Sequence, residues 1–320
     1  MLTAEETRLP KTVGGSGVSV LDITVLAGGP GMEREVSLNS GRAVFEALGR
    51  LGHNVELADI VPDDMSALER AADCVFIALH GEFGEDGTLQ SELERRGIVY
   101  SGSNAVSSRT AMDKAAAKRC FRGVGIPTPE FVVIDTTDVS QWPPWHVYPA
   151  FVKPVSSGSS VDTFPVSNRA ELERLVGRLV SRYGRALVEK RITGPELTVG
   201  ILGDTALPVC EIRTRRDFYD YAAKYVDDDT QYLFDLDLPS SLLERVRTMS
   251  LAAHRSLGCA VFSRVDWMID GETGEAYLLE VNTIPGFTSH SLLPKSAARV
   301  GIDFDTLCQR IIELSLAGDG

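Results

Sequence analysis

One stretch limits the fold more than any other: Arg264–Leu292, RVDWMIDGETGEAYLLEVNTIPGFTSHSL. Apolar runs at Ala260–Met268 and Ala276–Val281 flank Asp270-Gly271-Glu272-Thr273-Gly274. Asp-Gly and Thr-Gly pairs bend a chain tightly, so the spacing predicts a β-hairpin. Glu280 and Asn282 stand two apart on its second strand and share a face. A register symmetric about the turn sets Asp266 across from Glu280 and Arg264 across from Asn282. Two carboxylates, an amide and a guanidinium then meet on one face. Such oxygen donors suit Mg²⁺, which is usually held by one or two carboxylates plus substrate phosphates. A plain polar sheet face with an ion pair is the other reading. Leu278, Leu279 and Val281 make the strand at least half buried, and buried carboxylates need partners.

The rest of the chain alternates strand and helix. Leu21–Ala27 is an apolar strand ending in Gly28-Gly29-Pro30-Gly31, and a helix with Val44, Ala47, Leu48 and Leu51 at helical spacing follows. Val55–Ile60 and Cys74–Leu79 read as strands, the latter delivering His80 into the acidic, glycine-rich loop GEFGEDG. Thr88–Arg96 is a helix and Ile98–Ser101 a short strand. The alternation argues for a parallel sheet with helices on both faces and ligands at the C-terminal strand ends. Ala105–Gly123 reads as one long helix carrying Lys114. Glu130–Ile134, Ala150–Lys153 and Ala186–Lys190 are strands around a helix near Ala170–Tyr183, which makes a compact second domain, and the Trp142/Trp145 loop packs its aromatics locally. Leu197–Leu202 and Ala206–Ile212 pair around Gly203-Asp204. Residues 217–232 lack a clean period and suit a lid. Ser240–Leu257 and Ile302–Leu316 are helices.

Composition excludes several classes. A net charge of −13 argues against nucleic-acid and anionic membrane partners. No stretch reaches the length of an apolar membrane span. The first twenty residues carry no signal-peptide core and read as a loose tail. Five scattered cysteines without CxxC spacing fit reduced core residues of a cytoplasmic protein.

Several motifs carry chemistry. Lys153 precedes Pro154-Val155-Ser156-Ser157-Gly158-Ser159-Ser160, a small-residue loop whose N–H groups can approach phosphate, although it is no Walker A sequence. Lys114, Lys153 and Lys224, near the Mg²⁺ candidates, strengthen a nucleotide reading. Val188–Ile192 followed by Glu196 has the form of an interdomain connection able to read an adenine edge. It also reads as an ordinary strand before a Gly-Pro turn. Gly28–Gly31 lacks the G-x-G-x-x-G spacing, and Pro30 removes an N–H, which disfavours a nicotinamide enzyme. Glu33 and Glu35 suit a helix N-terminus, with Glu33 also able to meet a substrate ammonium. His80 is placed for ligand contact, whereas His53, His146 and His254 read as structural. His290 orients its turn. Ser291 before Leu292-Leu293-Pro294 reads as an N-cap, at a helix end that can hold a carboxylate.

In combination these segments resemble the D-alanine–D-alanine ligases of the ATP-grasp superfamily. The resemblance runs from about Leu21 to the C-terminus through GGPGMEREVSL (28–38), ALHGEFGEDGTLQ (78–90), MDKAAAK (112–118), VKPVSSGSSV (152–161), VEKRITGPELTV (188–199), FYDYAAKY (218–225), DDTQY (228–232), RVDWMID (264–270) and LLEVNTIPGFTSHSL (278–292). It implies an α/β ATP-grasp fold: a tail (1–20), an N-terminal substrate domain with a parallel sheet (21–103), a central domain (104–189) and a C-terminal catalytic domain (190–320). Nucleotide would lie between the central and C-terminal sheets. It implies a D-alanyl phosphate made from ATP and attacked by a second D-alanine, for peptidoglycan synthesis, in a cytoplasmic homodimer. Carried over by position, Asp266, Glu280 and Asn282 would hold two Mg²⁺ ions, with Mn²⁺ as a substitute. Lys114, Lys153, Ser160 and Lys224 would contact phosphates. Glu189, Lys190, Ile192 and Glu196 would hold adenosine. Glu33 would take the first D-alanine's ammonium with His80 close by. Arg264 and the Gly286 N–H would stabilise the oxyanion, and Ser291 and Leu292 would hold the second carboxylate. Tyr225, linked to Ser159 and Glu33, would close the lid and favour a dipeptide over a depsipeptide product.

Two positions depart from the family pattern. Ser157 stands where glutamate is usual, and Asp162 where glycine is usual. Asp162 adds a charge and a Cβ where backbone would approach phosphate. That opens three readings: a raised Michaelis constant for ATP, looser loop closure, or altered activity. Two alternatives to the ligase remain at this stage, a related ligase with another acid and amine pair, and a nucleotide-binding homologue of reduced activity.

Overall fold

The computed structural model describes residues 19–215, 229–288 and 291–318. The expectations for the N-terminal tail up to residue 18, Lys224, Tyr225, His290 and most of the 217–232 segment lie outside them. Among the described residues, three sheets form.

The first is β1 (Asp22–Gly28), β2 (Asn54–Ile60) and β3 (Cys74–Ile77), parallel in the order β2-β1-β3. β1 and β3 are buried along almost their whole length because both faces are covered, while the edge strand β2 mixes buried with half-buried residues. Ile23, Val25 and Ala27 pack with α1 (Arg34–Arg50) and α8 (Phe304–Leu316), while Leu26 packs with Leu89 and Leu93 of α2 (Thr88–Arg96). Gly41 lets α1 lie close on the sheet, since a Cβ there would fall 2.4 Å from that of Ala27. Ile98–Ser101 contributes only a single parallel bridge, Val75 to Tyr100, rather than a strand.

The second sheet is antiparallel, in the order β4-β7-β5-β6: β4 (Phe131–Ile134), β5 (Ala150–Pro154), β6 (Phe164–Val166) and β7 (Ala186–Lys190). Helix α5 (Arg169–Tyr183) buries Leu172, Val176 and Leu179 on it, and Trp142 and Trp145 join the same core. The expected long helix is broken. It divides into α3 (Ala105–Met112) and α4 (Lys114–Gly123), because Asp113 is extended (ψ 96°) and caps α4 by accepting from the Ala116 N–H at 2.8 Å. The Lys114 N–H, freed by the break, donates to Val155 O at 3.0 Å and ties the helix start to the small-residue loop.

The third sheet comprises β8 (Glu196–Leu202), β9 (Thr205–Ala206), β10 (Cys210–Arg213), β11 (Gln231–Leu233), β12 (Phe262–Ile269) and β13 (Ala276–Asn282). Its order is β11-β10-β8-β12-β13, with β9 beside β8, and every pairing is antiparallel. The alternation of strand and helix therefore signals a parallel sheet only at the N-terminus. The single strand expected at Ala206–Ile212 is two short ones, and residues 231–232 of the expected lid are β11. Helix α6 (Ser240–Ser256) packs through Val246 and Ala253 beneath Trp267, whose Nε1–H donates to Ser250 Oγ at 2.9 Å. Residues 291–298 place α7 (Leu292–Ala298) after the hairpin. All five cysteines are free, with Cys120 half-buried and the rest buried. Among the described residues no helix is long and apolar enough to cross a membrane.

Candidate active site

Two cavities meet between these sheets. The outer one, of about 410 Å³, lies between the second and third sheets and is lined by Lys153, Ser160, Glu189, Lys190, Ile192, Glu196 and Asp266. The inner one, of about 110 Å³, is bounded by Glu33, His80, Ser159, Arg264, Asn282, Gly286, Ser291 and Leu292. Lys114 and Glu280 line both, with Lys114 Nζ 3.6 Å from Glu280 Oε2. Every site residue expected from sequence and described in the structure thus lines one cavity or the other.

The hairpin supplies the boundary. Asp266 pairs with Glu280 and Arg264 with Asn282, the register expected. The Asp266 carboxylate is nearly buried and accepts from Thr198 Oγ1 at 2.7 Å and from Arg264 Nε and Nη2 at 2.9 and 2.7 Å. With a further bond from Arg264 Nε to Oδ2 at 3.2 Å, these donors engage both oxygens of the carboxylate, which offers about four lone-pair sites in all. Asp266, Glu280 and the Asn282 side-chain oxygen form a hard-donor set on one edge, which fits Mg²⁺.

At the outer cavity's floor, Glu189 is buried between Lys153 and Lys118, each Nζ at 2.5 Å. Burial alone would raise the Glu189 carboxyl; the two ammonium groups outweigh it and hold it below the usual range. Lys118 is fully buried, donates to Thr128 Oγ1 at 2.7 Å, and is lowered by burial to about 8. Sequence reasoning missed Lys118. Its signal was a lysine on the face of α4 that also carries Ala115 and Phe121. Lys190 ends β7 and Glu196 opens β8, so 191–195 do connect the second and third sheets.

In the inner cavity, Lys114 Nζ donates to Ser157 O at 2.5 Å. Ser159 Oγ, in the loop after β5, donates to Glu33 Oε1 at the start of α1. Glu33 opens α1 without capping it, so its carboxylate serves the cavity rather than the helix. Gly81 is close enough that a Cβ would meet Glu33 Oε2 at 2.5 Å. His80 is buried, with Nε2 3.2 Å from Ser40 Oγ and Nδ1 3.4 Å from Glu85 Oε1. Glu85 was also missed, although it lies in the acidic loop after His80. Burial pushes its carboxyl up, and the Glu33 charge adds to that against the pull of His80. Ser291 departs from expectation. It holds the N-cap position of α7, but its hydroxyl makes no cap bond; it accepts from the Thr288 N–H at 2.9 Å instead.

Two antiparallel sheets closing on a lysine- and carboxylate-lined pocket, beside a parallel sheet that completes the cavity, define an ATP-grasp ligase. The D-ala D-ala ligase C-terminus model matches residues 120–313 and the D-ala D-ala ligase N-terminus model residues 57–103. Relatives include the D-alanine–D-alanine ligase of Oleidesulfovibrio alaskensis, 44% identical over 93% of this chain and 97% of its own. That of Xanthomonas axonopodis pv. citri is 43% identical over 92% of this chain and 94% of its own. The Bacillus anthracis D-alanine–D-alanine ligase complexed with ATP superposes with a TM-score of 0.80 at 36% identity, covering 94% of this chain and 99% of that one. The chain belongs to the D-alanine–D-alanine ligase family, enzymes that form a C–N bond. The Enterococcus faecalis VanG D-Ala:D-Ser ligase superposes equally well, with a TM-score of 0.81 at 28% identity over 93% of this chain and all of that one. Backbone similarity therefore does not by itself separate acceptors.

Proposed function

We propose that the chain joins two D-alanines into D-alanyl-D-alanine at the expense of ATP, through a D-alanyl phosphate, for peptidoglycan precursors. The observation that carries this reading is the meeting of the two cavities at Lys114 and Glu280. A nucleotide in the outer cavity would point its terminal phosphate at a carboxylate in the inner one. Glu189, Lys190, Ile192 and Glu196 would hold the adenosine end, and Lys153, Lys114, Ser160 and Lys224 the phosphates. Glu33, fixed by Ser159, would take the first amino acid's ammonium, with His80 beside it. Arg264 and the Gly286 N–H would stabilise the oxyanion that develops on attack by the second amine. Ser291 and Leu292 would seat the second carboxylate. Asp266, Glu280 and Asn282 would hold two Mg²⁺ ions, which neutralise charge on the transferring phosphoryl group. Tyr225, by its match to the family pattern, favours an amine acceptor over D-lactate. We place the enzyme in the cytoplasm as a homodimer with the domain boundaries given above.

The test is ADP release from purified protein with Mg²⁺, ATP and D-alanine, with L-alanine as control and D-serine and D-lactate as competing acceptors. Release that needs D-alanine, with D-alanyl-D-alanine as the main product, is expected. Nucleotide binding with no turnover would favour a homologue of reduced activity, and a D-seryl or D-lactyl product would favour another acceptor.

A further inference from the structure

Asp162 has no part in the chemistry above, yet it stands in the loop between β5 and β6 that flanks both cavities. Its φ is 52°, and Ser159 and Ser160 share the left-handed region at 50° and 56°. Side chains other than glycine adopt that region at a cost, so the surroundings must hold these residues there. At Asp162 the holding groups are visible. Arg182 Nη1 donates to Oδ2 at 2.8 Å, Tyr183 Oη donates to Oδ2 at 2.6 Å, and Arg178 Nη2 donates to Oδ1 at 3.4 Å. All three donors lie on the last turns of α5. Two are themselves fixed by rings, Arg178 over Phe164 at 5.2 Å and Arg182 over Tyr183 at 5.0 Å. Ser160 and Thr163, on either side of Asp162, line the outer cavity. The carboxylate is turned the other way, with its side chain only 11% exposed.

A lone exposed ion pair would do little here. Three donors converging on one sequestered carboxylate are a different case, because they fix both its position and the backbone that carries it. The same loop is gripped at its other end by the bond from Ser159 to Glu33. We propose that Asp162 is a positioning residue that fastens the phosphate loop to α5 and presets Ser159 and Ser160 for the nucleotide, so that a carboxylate here assists ATP binding instead of opposing it. This rests on the nucleotide reading of the outer cavity.

The two possibilities differ in sign, which makes the test direct. Asp162→Asn keeps the size and the tolerance of a left-handed φ but removes the charge, and Asp162→Gly removes the backbone cost as well. In the full-length protein both should raise the KM for ATP about tenfold while kcat changes far less. Arg182→Met should act in the same direction, and the Asp162→Asn/Arg182→Met double variant should be no worse than the weaker single one. The Kd for a fluorescent ATP analogue, measured without D-alanine, should shift by the same factor. A KM and Kd that fall or stay level in the Asn and Gly variants would overturn the proposal, as would strict additivity of Asp162 and Arg182. If the parent protein binds the analogue but does not turn over, the ligase reading fails while the Kd series still decides the role of Asp162; if it does not bind the analogue, the positioning proposal falls too.

Discussion

Glu280 lies directly across the ladder from Asp266, and a bulge at Leu279 puts it there. Beyond the bulge Trp267 pairs with Leu278, a one-residue shift of register. Leu278 and Trp267 are buried in the core under α6, while Glu280 and Asp266 line the outer cavity. Residues 278 and 280 would face the same way in a regular strand. The extra residue lets one strand feed the core with Leu278 and the site with Glu280.

A Glu280→Gln variant follows from that placement. It keeps the shape and removes the charge at the junction of the two cavities, so D-alanine-dependent ADP release should fall by roughly 10²- to 10³-fold. The side chain is 33% exposed, so the unfolding midpoint should barely move. The Mg²⁺ concentration for half-maximal rate should rise in the same variant. Turnover equal to the parent's would remove Glu280 from the metal site.

Lys118→Met should act on stability first. The substitution leaves Glu189 buried with Lys153 as its one remaining ammonium partner among the described residues. Breaking one side of a buried ion pair typically costs about 3–5 kcal/mol. Urea unfolding should show a loss of that order, and Lys118→Met/Glu189→Gln should recover part of it, because the buried carboxylate is then neutral and Lys153 faces the outer cavity. A single variant as stable as the parent would show that Lys118 contributes nothing net.

The hairpin, Lys114 and Lys153, and the strand that leads from the second sheet towards the third were legible because each is local. Turn residues, period-two alternation and short spacings encode them within a few residues. Three features were not. The break at Asp113 hides in a run of good helix formers and depends on Val155, distant in sequence, accepting the Lys114 N–H. The pairing of Lys118 with Glu189 needs a helix and a strand brought together by the second sheet. The direction of the Asp162 carboxylate could not be read, since nothing in the sequence places Arg178, Arg182 and Tyr183 behind that loop. Family resemblance located Asp162 as a departure but carried no information about what surrounds it.

His254 makes acid sensitivity predictable. It is buried, with Nδ1 2.7 Å from Ser263 Oγ, and burial lowers it to about 4 from the ordinary 6.5. Its neutral form is the native one. The unfolded chain therefore binds the extra proton between those values, and this group's contribution is full above pH 6.5 and lost as pH falls through about 4. The shift corresponds to about 3 kcal/mol. His254→Asn, which preserves a polar partner for Ser263, should be no more stable than the parent at pH 7. Its disadvantage should shrink steadily as the pH is lowered to 4.5. A constant gap in unfolding free energy across that range would show that His254 does not set the acid limb.

Gly286→Ala tests the acceptor side of the inner cavity. A Cβ at 286 would stand 2.6 Å from Ser291 Oγ and 3.5 Å from Ser291 Cβ. The hydroxyl cannot yield freely, because it accepts the Thr288 N–H at 2.9 Å and lies 2.9 Å from Thr288 Oγ1. The added methyl should thus displace Ser291 while the core packing of Phe287 against Phe76 and Phe262 keeps the turn folded. The expected result is a KM for the second D-alanine raised at least about tenfold, the loss of a hydrogen bond to a charged group. The KM for ATP should not move, since the outer cavity is untouched. Adding Ser291→Ala relieves the clash but removes the hydroxyl, so the double variant should match Ser291→Ala alone. If Gly286→Ala left both constants at the parent values, neither Gly286 nor Ser291 would belong to the acceptor site.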